Sequence, residues 1–237
     1  MSKDIIDKPR KKDIKKIIEL IDTAEEYPEH LSELLYTLKF IPGPLKLHQF
    51  RRYIYFLLDK YLDPIIAVAL STIALIVIDV EFSKLFFLIL AFLITFVRWI
   101  RKQRSEYVKD AMERKDRTNS MIINYPLELE PYTANVFDSE SKYEASKHGP
   151  EKRAIINMYI FSELDNLEFV YDKSRAGLLE DAYTFRAIKI FLSRSENTGF
   201  FRVAVSLIKS GRYNDEFKRV IEFLLKIGRY KNLKNIP

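Results

Sequence analysis

From Pro64 to Val97 the chain reads PIIAVALSTIALIVIDVEFSKLFFLILAFLITFV, and only Asp79, Glu81 and Lys84 carry charge in that run. The three charges sit together and divide it into two apolar arms, Ile65 to Ile78 with 14 uncharged residues and Leu85 to Val97 with 13. Each arm alone has the length of either a buried core helix or part of a membrane span. Tyr61 and Leu62 before the first arm, and Trp99 and Ile100 after the second, bring each to roughly 18–20 residues, about what a span needs. Ser71, Thr72 and Thr95 are the only polar side chains inside the arms. A core helix of a protein in water normally keeps a polar stripe, and neither arm has one. The expected reading is a transmembrane helical hairpin over 61–100, closed by the short turn VEFSK.

The flanks sharpen this reading. Tyr61 and Trp99 stand where an aromatic belt is expected, and Asp63 and Arg98 at headgroup level, where long basic side chains extend toward water, with Arg101 a further interface residue. Residues 1–62 hold twelve Lys or Arg and residues 98–117 hold eight, against Lys84 alone in the turn. The positive-inside rule then puts both termini in the cytoplasm of a multi-pass inner-membrane protein. Arg51 with Arg52, and RKQR at 101–104, account for much of the net charge of +6 and read as headgroup-facing clusters. Nucleic acid is the alternative partner for such clusters. The first 60 residues lack an apolar segment of the signal-peptide kind.

Outside the arms the pattern is helical throughout, so the expected fold is all-α. Ile14, Ile17, Ile18 and Ile21, then Leu31, Leu34, Leu35 and Leu38, recur at helical spacing over 10–39, with Pro28 as a break. IPGP at 41–44 reads as a turn. A short helix from about Leu47 carries Tyr53, Tyr55 and Phe56; it is either an interfacial amphipathic segment or an extension of the first span. Residues 1–60 form an N-terminal cytoplasmic helical region in this scheme. Residues 101–117 continue the second span as a solvated stalk, and Pro126, Pro131 and Pro150 mark 118–150 as an irregular connector. The last part, 151–237, reads as a bundle of four helices. Gly177 is a left-handed C-cap, and Asn214 is the N-cap of the fourth helix.

Chemistry is sparse. There is no Cys, and His30, His48 and His148 are scattered, which gives no metal-ligand spacing. Glu163, Asp165 and Glu168 form only the kind of carboxylate group that many helix surfaces carry. Phosphate-binding Gly loops and nucleophile motifs are missing, and no Arg has a His five to seven residues downstream as a helical-bundle RNase would. No catalytic, cofactor or metal residue is expected, and the chain reads as a non-enzyme. Small residues recur four apart within the arms, Ala67 with Ser71 and Ala91 with Thr95, a spacing that lets helices pack closely. Asp79 and Glu81 read first as solvated turn carboxylates; in an assembly around an axis they would ring a cation-attracting pore mouth.

The segment AIINMYIFSELDNLEFVYDKSRAGLLEDAYTFRAIKIFLSR resembles the cytoplasmic helical core of a loose bacterial family of small two-transmembrane proteins. The likeness rests on the acidic run Glu163 to Glu168, the basic-Gly turn Lys173 to Gly177, and the helix start Leu178 to Tyr183. Members are similar to membrane effectors encoded beside phage-defence systems, including retron modules and type VI CRISPR accessory proteins. The resemblance implies a protein that stays silent until triggered and then permeabilises or depolarises the inner membrane; the expected assembly is a homo-oligomer, with a defence-system protein or ribonucleoprotein as its expected partner. A membrane-anchored adaptor that docks a protein or nucleic acid is the alternative.

Overall fold

The computed structural model describes residues 6, 11–43, 47, 50, 53, 80–133, 149–210 and 213–234, and every regular element among them is an α-helix. These are α1 (Lys11–Thr23), α2 (Pro28–Thr37), α3 (Val80–Asn124), α4 (Pro126–Thr133), α5 (Pro150–Arg175), α6 (Asp181–Ser195), α7 (Thr198–Lys209) and α8 (Asp215–Lys234). The chain divides into two units, residues 1–42 with 108–237 and residues 43–107, so α3 belongs in part to each.

In the larger unit, the isoleucine spacing of α1 buries Ile17, Ile18, Leu20 and Ile21 on one face, and α2 buries Leu31, Leu34 and Leu35. α1 packs on α2 and α8, and α2 packs on α6. The sequence treats 1–60 and 151–237 as separate regions, whereas these helices share one core. Phe40, beyond α2, meets the Tyr171 ring of α5 edge-on with centroids 5.1 Å apart. Glu25, between α1 and α2, receives the Lys189 ammonium of α6 at 2.8 Å.

Two helices end in the same backbone figure. After α5, Gly177 takes φ 70°, its N–H bonds to Ser174 O, and Leu178 N–H bonds to Lys173 O at 2.8 Å. That is the expected glycine C-cap, a Schellman motif. After α2 the figure recurs without glycine: Lys39 adopts φ 60°, its N–H bonds to Tyr36 O, and Phe40 N–H bonds to Leu35 O at 2.9 Å. Left-handed backbone is costly for a residue with a Cβ. Here burial of Phe40 against Tyr171 offsets that cost.

Among the described residues of the expected irregular connector, 118–124 and 126–133 are helical. α3 runs on to Asn124, and α4 follows after the single residue Tyr125. Pro126 and Pro150 open α4 and α5, as Pro28 opens α2. In the first turn a backbone N–H has no partner to lose and φ near −65° is already helical, so these prolines start helices. Leu129 and Tyr132 of α4 are fully buried. Asn197 and Asn214 cap α7 and α8, their Oδ1 atoms accepting from Phe200 N–H at 3.0 Å and Phe217 N–H at 2.8 Å. α7 therefore begins at Thr198.

α5 is the central helix of this unit and packs on α4, α6 and α7. α8 crosses α6 closely, because Gly228 presents no side chain to Ser195. Of the smaller unit, the described residues are Gly43, Leu47, Phe50, Tyr53 and the first part of α3, and Leu47, Phe50 and Tyr53 are helical and exposed.

Candidate membrane-facing helix

Along α3, Phe92, Phe96 and Trp99 follow one another at helical i, i+4, i+7 spacing, which puts them on one face. The rings stack in sequence, each pair of centroids 6.2 Å apart. They are 70%, 47% and 57% exposed. Burying one such ring is worth roughly 1.5–3 kcal/mol, so three aligned rings left open mark an interaction surface and not an ordinary scatter of apolar residues.

The same face changes character within one turn. The next positions on it are Gln103 and Glu106, joined by a 3.3 Å hydrogen bond from Gln103 Nε2 to Glu106 Oε2. The basic residues distribute by side. Arg98 and Lys102 are exposed, and the Lys102 ammonium approaches Glu106 only loosely, at 3.8 Å. Arg101 and Arg104 are half-buried and engaged in polar or ring contacts within the chain. Among the residues expected at the membrane interface, Arg98 and Trp99 thus lie on open surface and Arg101 on the more protected side.

Ala91 and Thr95 are both exposed on α3. The Thr95 hydroxyl donates to the Ala91 carbonyl at 2.8 Å, so its proton is used inside its own helix. Glu81 lies on the helical backbone of α3, and its side chain is outside the described residues. Arg51, Arg52, Tyr61, Asp63, Ala67, Ser71 and Asp79 lie outside the described residues, as does the whole first arm. Among the described residues no helix is long and apolar enough to cross a membrane.

Polar groups in the larger unit serve its packing. Half-buried Arg194 of α6 pairs with buried Glu163 of α5 and donates to the Tyr159 hydroxyl at 2.5 Å. Burial raises the Tyr159 pKa, with the Arg194 charge and hydrogen bond acting in opposition. At the other end of α5, Arg175 donates to the Tyr171 hydroxyl at 2.6 Å and pairs with Glu216 of α8 at 2.6 Å. The Tyr171 pKa is likewise raised by burial, against the pull of Arg175. Of the acidic run, Glu163 is held by Arg194 and Asp165 accepts from the Tyr213 hydroxyl at 3.2 Å. Among the described residues no group of three or more His, Asp or Glu converges as a metal site would require.

Phe92 and Phe96 are the residues that sequence reasoning passed over. Within an unbroken apolar run all positions look alike, and only the aromatic i, i+4, i+7 repeat leading to Trp99 could have singled them out. No protein-family model, no curated protein and no solved structure matches the chain.

Proposed function

We propose that the chain is an inner-membrane effector that acts as an oligomer to perturb or permeabilise the bilayer when triggered, in antiphage defence. In this reading 61–100 is a two-span hairpin with both termini in the cytoplasm, and the helical unit of 1–42 and 108–237 receives the trigger. The observation that carries the reading is the exposed Phe92–Phe96–Trp99 stripe, which continues the apolar run from Leu85 and gives way to Gln103 and Glu106. Water on that stripe would forfeit the burial energy of three rings, whereas hydrocarbon and the interfacial region accept them. The exposed Leu47, Phe50 and Tyr53 ahead of the first arm support an interfacial segment on that side as well. The experiment is reconstitution into liposomes loaded with a dye, together with the mass of the complex in detergent. An oligomer that releases dye is the expected outcome; a strict monomer that leaves vesicles sealed would refute the proposal.

A second reading, the membrane-anchored adaptor, is favoured by a different surface. Ile123 and Leu127, at the junction of α3 and α4, are 77% and 78% exposed, with Tyr125 between them. Such a patch suits a docked partner. An I123S/L127S variant that loses the biological response yet still permeabilises vesicles would separate docking from membrane action.

A further inference from the structure

α3 carries an exposed aromatic stripe, a polar stripe that replaces it on the same face, and two exposed cations at the changeover. Phe92, Phe96 and Trp99 fill the first, Gln103 and Glu106 the second, and Arg98 and Lys102 flank Trp99 one residue before and three after. Arg98 makes no ion pair among the described residues, and Lys102 holds only a long, solvated contact to Glu106. The two other basic residues of this stretch, Arg101 and Arg104, are half-buried and committed to contacts within the chain.

We infer that Trp99, Arg98 and Lys102 form a binding site for the headgroup of an anionic phospholipid, and that the membrane–water boundary crosses α3 between Trp99 and Gln103. This rests on the membrane reading above and adds to it a lipid preference and a register. The indole of Trp99 is suited to the interfacial layer, apolar on its face and polar at its N–H. Arg98 then stands at phosphate height with no ion pair among the described residues, and Lys102 with only its loose contact to Glu106, so an anionic headgroup supplies the matching charge. Glu106, a turn further on, bears the opposite sign and sets the outer limit of the site. The whole cluster RKQR is not equivalent in this respect: Arg101 and Arg104 are turned into the chain's own contacts.

Trp99 is the single tryptophan of the protein, so its fluorescence reads this position alone. The full-length chain is reconstituted in mixed bilayers in which either phosphatidylcholine or phosphatidylglycerol carries brominated acyl chains. Brominated phosphatidylglycerol is expected to quench Trp99 more strongly than brominated phosphatidylcholine. R98Q and K102Q should each reduce that preference roughly five-fold or less, and together abolish it, with helix content unchanged by circular dichroism. Equal quenching by the two lipids in the parent protein would overturn the headgroup site while leaving the membrane reading intact. Absence of quenching in a chain that still floats with vesicles would place Trp99 against another copy of the chain, and would also overturn the site. A chain that fails to float with either lipid would overturn the membrane reading and the site together.

Discussion

Replacing Gly228 with Ala sets two known effects against each other, and the structure decides which prevails. In a helix interior Ala is favoured over Gly by about 1 kcal/mol, so on an open face G228A would stabilise α8. Here the added Cβ would overlap Ser195 Oγ and stand 3.0 Å from Ser195 Cβ and 3.1 Å from the Leu192 carbonyl oxygen of α6. Ser195 is buried, and its hydroxyl donates to that same carbonyl at 2.7 Å. The hydroxyl must therefore swing away, losing a bond worth about 1 kcal/mol, and α8 must also shift, at a typical overpacking cost of about 1–3 kcal/mol. The expected net result is destabilisation by about 1–3 kcal/mol. S195A removes the overlapping oxygen, so G228A should cost about 1 kcal/mol less in that background than in the parent. Urea unfolding of the purified chain, followed by circular dichroism for the parent, both single variants and the double variant, measures the cycle. If G228A proves as stable as the parent or more so, the close crossing of α6 and α8 is wrong.

Three further outcomes are expected. K39G should raise stability by about 0.5–1 kcal/mol, the left-handed penalty of roughly 1–2 kcal/mol less the added entropy of Gly in the unfolded chain; a lower urea midpoint for K39G would contradict the φ of 60° at this position. R194M leaves the Glu163 carboxylate buried without its cation and should cost about 3–5 kcal/mol. Y159F, which removes one acceptor of Arg194, should cost about 1–2 kcal/mol, and equal losses in the two variants would refute the ranking. Burial raises the pKa values of Tyr159, Tyr171 and Tyr183 above those of the unfolded chain. A raised folded value means stability is intact below about pH 10 and falls as pH rises through the folded values, because the unfolded tyrosines ionise first. Y159F/Y171F should flatten that alkaline decline relative to the parent, and an unchanged slope in urea titrations above pH 10 would count against it.

Much of the helical unit was legible because its signals are local. The Asn214 cap, the Gly177 cap and the four helices after Pro150 each depend on residues within a turn or two of one another. Proline misled because it carries two meanings. Pro126 and Pro150 read as breakers of a connector, yet a proline at the first helical position gives up nothing, and Leu129 with Tyr132 supplies the buried face that makes a short helix worthwhile. The Lys39 cap left no trace, since composition points to glycine and the conformation is imposed by Phe40 docking on Tyr171. Nor could periodicity join α1 and α2 to α6 and α8. A stripe of isoleucines tells which face is buried and is silent on its partner, here reached across contacts such as Lys189 to Glu25.

The candidate surface on α3 shows the same division from the other side. Arg98 and Trp99 stood out because hydropathy drops there. Phe92 and Phe96 did not, because a hydropathy sum has no angle, and an exposed stripe is defined by angle. Placing residues around the helix axis separates Arg98 and Lys102, which are open, from Arg101 and Arg104, which are not. It likewise separates two uses of arginine in one chain. Arg194 is sunk against Glu163 and Tyr159, where its loss exposes a buried charge and where it fixes how α5 and α6 register. Arg98, exposed and without an ion pair among the described residues, lies beside an aromatic stripe, where its loss should leave the fold untouched and alter only what the helix meets outside. A charge whose removal is silent for stability and costly for lipid preference belongs to function, and the contrast between R194M and R98Q measures that distinction directly.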